Sequence, residues 1–183
     1  MLEATQKEGD KSGYRFLEHH NSYSDAKLRR ILRDVKTFAL VGASTVWRRP
    51  SYYAMTYLQH KGFKIIPINP ARVGETVLGE KVYGSLADVP HQLDMVDIFR
   101  TSEEALDITK DIIKNKDARG IKYLWMQLTV RNDFAAELAE EAGLEVIMDR
   151  CPKIEFGRLS GELSWLGVNS GIITAKTLKS PKA

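Results

Sequence analysis

The chain has 183 residues, 43% of them hydrophobic and 28% charged, ordinary values for a soluble globular protein and enough length for one domain with a sizeable core. A formal charge of +3, from 27 basic against 24 acidic residues, is too small a bias to point to nucleic acid. A single cysteine, Cys151, excludes a disulfide framework and a cysteine-built zinc site; with a polar N-terminus and no run near the ~20 apolar residues that span a bilayer, the expected compartment is the cytosol, with no membrane partner.

In chain order, residues 1–24 read as a polar, loosely held arm whose aromatics are Tyr14, Phe16 and Tyr23, and whose adjacent histidines, His19 and His20, read as inert. Ser24 offers an N-cap, and Leu28, Ile31, Leu32 and Val35 recur at helical spacing, so a helix over Asp25–Asp34 lays one apolar face on the core. The stretch from Thr37 to Val41 reads as a strand, followed by Gly42-Ala43-Ser44 and a helix from about Ser51 to Lys61 with Pro50 in its first turn. This strand, tight turn and helix open a nucleotide-binding βαβ unit: the glycine permits the sharp turn, and backbone N–H groups at the helix start can receive a phosphate. Gly62 ends that helix, and Phe63 to Ile68 is the second strand, in which Pro67 is an objection because it removes a ladder donor.

Thr76-Val77-Leu78 and Lys81-Val82-Tyr83 suggest a hairpin, with a short helical turn over Ser85 to Val89. Leu93 to Phe99 is the next strand, and its Asp97 suits a strand end or a half-exposed face. Ser102 caps a helix that closes near Gly120; Ile121 to Trp125 is a strand, Asn132 to Ala142 a helix, and Leu144 to Met148 a last strand. This alternation predicts an α/β, Rossmann-like, doubly wound and mainly parallel sheet with helices on both faces, its domain spanning 25–154. The extension over 155–183 carries Leu163, Trp165, Leu166, Val168, Ile172 and Ile173, too apolar for a free tail, and is expected to pack on the domain or on a second copy of it.

Ligands of such sheets bind beyond the carboxyl ends of the strands, so the residues after each strand carry the functional reading. No G-x-x-x-x-G-K-[ST] loop is present. Nor does Gly42 begin a G-x-G-x-x-G fingerprint, and the acidic residue that would hold a ribose diol after the second strand is replaced by Asn69 and Pro70. The loops offer hydroxyls and guanidinium groups instead: Ser44, Thr45, Arg48, Arg49 and Ser51 around the helix start, Arg72 after the second strand, and Arg100 after the fourth. Such a set suits a ligand with several phosphates, and coenzyme A, with a pyrophosphate and a ribose 3′-phosphate, matches it better than NAD.

Taken together, FALVGAS with RRPSYYAMTYL, GFKIIPINP, VLGEKVYGSLADVP, VDIFR, YLWMQLTVRN and AGLEVIMDRC resemble, in order, the small CoA-binding domain proteins. That family is related to the CoA-binding domain of succinyl-CoA synthetase α-subunits and ADP-forming acyl-CoA synthetases. The resemblance implies CoA lying across the carboxyl edge, with Gly42, Ala43 and Ser44 at the pyrophosphate and Arg48 or Arg49 as charged support. It further implies Asn69, Pro70 and Arg72 at the adenosine end and its 3′-phosphate, and Phe99, Arg100, Trp125 and Gln127 along the pantetheine arm. Trp125 reads equally as core, and Arg100 otherwise pairs with Glu103 or Glu104. Cys151 is either a buried small hydrophobe or a thiol near the pantetheine end, where Arg150 could favour the thiolate. No nucleophile and base assemble around His60 or His91, so the expectation is a CoA-binding protein, alone or in a larger assembly, without catalysis or a metal. An NAD(P)-binding redox protein and a scaffold with a vestigial pocket are the alternatives.

Overall fold

The strands of the main sheet are almost continuously apolar, and in the computed structural model, which describes residues 16–161, successive side chains point to opposite faces and feed two separate cores. The strands are β1 (Thr37–Val41), β2 (Lys64–Ile68), β3 (Thr76–Val77), β4 (Glu80–Lys81), β5 (Met95–Ile98), β6 (Tyr123–Met126) and β7 (Glu145–Ile147). The helices are α1 (Asp25–Asp34), α2 (Pro50–His60), α3 (Ser102–Arg119), α4 (Asp133–Glu141) and α5 (Pro152–Leu159). Five strands form a parallel sheet in the order β2-β1-β5-β6-β7, and β3 and β4 form a separate antiparallel pair. Ala39, Val96, Leu124 and Val146 face the helices α3 and α4, whereas Phe38, Leu40, Met95, Trp125 and Ile147 face α1, α2 and α5. The doubly wound architecture is therefore as the alternation of elements predicts.

Local chemistry sets the helix ends. Ser24 accepts the N–H of Lys27 at 3.2 Å at the start of α1, and Asn132 accepts that of Ala135 at 2.9 Å at the start of α4. The α3 cap is Thr101 rather than the neighbouring Ser102, because Thr101 and Glu104 form a reciprocal capping box. Pro67 lies within β2, and the objection to it dissolves in the topology. β2 is the outer strand, and the Pro67 carbonyl points away from β1 to accept Tyr83 N–H at 3.0 Å, so the missing donor costs no bond to β1.

Two expectations are corrected. Asp97 is neither terminal nor half-exposed: it sits in a central strand and is 1% exposed. The end of the supposed loose arm is also tied down, since Leu17 N–H donates to Asp133 at 2.9 Å and Met148 N–H donates to the Tyr23 hydroxyl at 2.8 Å. Glu18–His20 form a 3₁₀ turn with His20 buried. At the other end α5 runs past residue 154, packing Phe156 and Leu159 against α1 and α2, with Arg158 joining Glu155 to Asp25 at 2.7 and 2.8 Å. The apolar stretch from Leu163 to Ile173 lies outside the described residues.

Candidate functional site at the carboxyl edge of the sheet

From β1 the chain passes to β2 on one side and later crosses back to β5 on the other side of β1, so the strand order reverses between β1 and β5, the place where an open α/β sheet forms its crevice. The turn after β1 occupies it. Gly42 holds φ +90°, and a Cβ there would lie 2.6 Å from the carbonyl oxygen of Phe99 and 2.8 Å from the Arg100 side chain. Only glycine lets the two loops of the switch point approach so closely. Ser44 N–H donates to the buried Ser51 hydroxyl at 3.1 Å, which folds the turn back onto the first turn of α2. Arg49 occupies the cap position of α2 without a side-chain hydrogen bond, and its carbonyl accepts the N–H groups of Tyr52 and Tyr53 at 3.0 and 3.4 Å.

Two hollows open on either side of this turn. The larger, a cleft of about 600 Å³, is lined by Arg48, Tyr53, Ala54, Phe99, Arg100, Gln127, Cys151 and Lys153 among others. The second, of about 450 Å³, is lined by Gly42, Asn69, Pro70, Ala71, Arg100 and Glu104 among others. Arg100 borders both, its Nε 3.1 Å from the Glu104 carboxylate. The sequence leaves Arg100 as either a site residue or a partner for Glu103 or Glu104; it pairs with Glu104 while bordering both hollows. Asn69 spends both ends of its amide within the protein: Nδ2 donates to Ala43 O at 2.7 Å and Oδ1 accepts Ala71 N–H at 3.0 Å. Asn69 thus stands where a dinucleotide site carries its acidic residue, and the carboxylates of this hollow, Glu104 and Asp107, come from α3.

Of the residues singled out in the sequence, Gly42, Arg48, Asn69, Pro70, Phe99, Arg100 and Gln127 therefore line one hollow or both. Ala43 and Ser44 shape the turn between them without lining either. Arg49 is exposed and lines neither, and Arg72 is exposed and paired with Glu75 at 3.2 Å. Trp125 is a correction. It is 0% exposed, packs in the core under α1, α2 and α5, and donates its indole N–H to Arg150 O at 2.7 Å, so it supports the loop after β7 rather than walling the cleft. Sequence reasoning missed Tyr53, Ala54 and Lys153. Their signal was positional only, on the helices α2 and α5 whose N-terminal ends face each other across the cleft.

Beneath the cleft lies a buried polar pair. Gln127 Nε2 donates to Asp97 Oδ2 at 3.0 Å, while Asp97 Oδ1 has no partner. Burial pushes the Asp97 carboxyl up to about 8, against the opposing bond from Gln127, so it is largely protonated at neutral pH. Cys151 is 8% exposed, and burial raises its thiol. Arg150 does not activate it: that guanidinium donates to Asp149 O at 2.6 Å and lies over the Tyr23 ring at 5.5 Å. The site offers cations, a helix start and an apolar trough, features that bind and orient a phosphorylated ligand.

Residues 36–157 match a family model described as a CoA binding domain. A curated relative, the uncharacterized protein YneT of Bacillus subtilis (strain 168), is 33% identical over 131 residues, 72% of this chain and 93% of the relative. Among solved structures, a hypothetical protein from Pyrococcus horikoshii OT3 shares 36% identity at a TM-score of 0.70, covering 76% of this chain and 94% of that one. A dinucleotide forming acetyl-coenzyme A synthetase 1 from Ca. Korarchaeum cryptofilum aligns at 24% identity and a TM-score of 0.50, over 61% of this chain and 25% of that one, a likeness of fold alone. No helix among the described residues is long and apolar enough to cross a membrane.

Proposed function

The chain belongs to the CoA binding domain family, and from that premise we propose that it binds coenzyme A, free or as a short acyl thioester, across the switch point of its sheet without chemistry of its own. The observation that carries this reading is a pair of hollows that share Arg100 as a common wall, one of them bordered by the Gly42 turn. A carrier with an adenosine end, a pyrophosphate waist and a long thiol arm needs two connected troughs with positive charge at their junction. The pyrophosphate lies beside the Gly42 turn, near the start of α2, with Phe99 O and the Arg100 side chain filling the space that a Cβ would take at Gly42. Arg48, Arg100 and Lys153 supply the charge, and Arg100 must exchange Glu104 for phosphate as the ligand enters. The pantetheine arm runs past Tyr53 and Phe99 toward Gln127 and Cys151, in a cleft within the ordinary size range of small-molecule sites.

The proposal that this site binds without reacting is supported by its side chains. Among the described residues His60 and His91 line neither hollow, Cys151 is held as a thiol, and Asp97 has no exposed surface from which to reach a substrate proton. Intracellular location accords with this ligand and with the lone thiol, and remains part of the proposal.

Parallel calorimetric titration with CoA, dephospho-CoA and NAD tests the reading. The expected order is CoA first, dephospho-CoA weaker and NAD weakest. A preference for NAD would replace this function with a redox one, and no heat with any of the three would leave a scaffold. Removing both Arg48 and Arg100 by alanine should weaken CoA by about tenfold or more and flatten the salt dependence of its affinity; unchanged affinity and slope would take both residues out of the site.

A further inference from the structure

Away from the cleft, His19 and His20 converge on Glu140, near the end of α4. His19 Nε2 lies 3.2 Å from both oxygens of the Glu140 carboxylate, and His20 Nε2 lies 3.1 Å from its Oε1. The two imidazole rings stand 4.1 Å apart between centroids. Adjacent residues seldom aim their rings at one point. Here the 3₁₀ turn over Glu18–His20 brings them together, held by Leu17 N–H on Asp133 and by Arg131 on Leu17 O at 3.0 Å.

His20 supplies the independent observation. Its side chain is 0% exposed, yet its Nε2 has no hydrogen-bond partner, because the approach to Glu140 is close but misaligned for a hydrogen bond. Leaving a buried imidazole nitrogen unpaired is costly unless something else takes its lone pair. The other ring nitrogen, Nδ1, is 2.8 Å from the Tyr23 hydroxyl, which also accepts Met148 N–H at 2.8 Å. That is the outer support a ligating histidine requires: with Nδ1–H donated to the Tyr23 oxygen, the Nε2 lone pair points at Glu140 and His19.

We propose that His19 Nε2, His20 Nε2 and a Glu140 carboxylate oxygen form a binding site for a divalent transition-metal ion of the zinc class. A tetrahedral centre with bonds of about 2.0–2.1 Å separates its donors by about 3.3 Å, close to the carboxylate–imidazole separations in this cluster. Two imidazoles and one carboxylate make a borderline donor set that favours zinc or cobalt over magnesium or calcium. His19 and Glu140 reach solvent, which gives the ion a way in and leaves a fourth position for water. None of the three residues lines either hollow at the carboxyl edge, so this site is independent of the CoA reading. Its effect is to clamp the N-terminal segment onto α4 at a second point, beyond the Leu17–Asp133 bond at the start of that helix. The sequence alone made these histidines look inert because their third ligand lies in α4, far along the chain.

Full-length protein stripped with a chelator and titrated with Co²⁺ should take up one equivalent, with the visible absorption of a tetrahedral centre, and Zn²⁺ should displace it. Zn²⁺ should also raise the thermal midpoint. His19→Gln and Glu140→Gln, at solvent-reaching positions and checked for native circular dichroism, should each lower Co²⁺ affinity by at least about tenfold and abolish the thermal shift. The double variant His60→Gln with His91→Gln should bind as the parent does. Absence of both the cobalt bands and the zinc-dependent shift in the parent protein would overturn the proposal, as would parental affinity in both ligand variants.

Discussion

Gly42 and Asp97 show how far single residues govern this site. At Gly42 both the positive φ and the approach of Phe99 O exclude a side chain, so Gly42→Ala should destabilise the protein by about 1–3 kcal/mol, measured by chemical denaturation, and weaken CoA with it. Asp97 has a native carboxyl raised to about 8 from an ordinary value near 3.8, so the native state holds its proton more tightly than the unfolded chain does. The stability that this proton allows is present in full at acid pH and drains away as pH climbs through the window up to the native value. Asp97→Asn, which cannot ionise, should therefore gain in thermal midpoint over the parent between pH 5 and pH 8; a difference that stays constant with pH would refute the assignment. Gly42 was legible in the sequence because a glycine after an apolar strand has few other uses. Asp97 was not, since a polar residue in a short strand reads as exposed, and the partner that permits its burial, Gln127, directly follows β6, the next strand of the sheet.

At the level of elements, chemistry close in sequence was read well and chemistry across the fold was not. The α1 boundaries were legible from Ser24 and the apolar spacing, and the start of α3 was missed by one residue because Thr101 and Ser102 are both capable caps, with Glu104 deciding between them. Thr101→Ala should cost about 1 kcal/mol and, through the loop that carries Arg100, should reduce CoA affinity; the two effects can be read by denaturation and calorimetry. β6 begins two residues later than its apolar run suggests because Ile121 N–H is already spent on Lys116 O, closing α3. The segment over residues 16–23 looked like a free arm because its composition is polar, but the groups that hold it, Arg131, Asp133 and Met148, come much later in the chain. Tyr23→Phe would strand Met148 N–H and remove the His20 contact, so a loss of about 1–3 kcal/mol is expected in a denaturant titration, together with faster amide exchange at Met148.

For the whole molecule, the alternation of strands and helices fixed the class of fold, and parallel crossovers left few ways to order the sheet. The far wall of the larger cleft could not be read in that way, because it comes from α2 and α5, elements brought together by packing in the second core. The same topology settles a further matter through β2. With Pro67 facing outward and Tyr83 bonded to its carbonyl, that border of the sheet already has a companion, and the short strand β7 ends where Tyr23 takes the next amide. Along β2 a neighbouring copy therefore meets a ladder already taken by Tyr83. Among the described residues, edge-to-edge growth from β2 is thus hindered by the native fold itself.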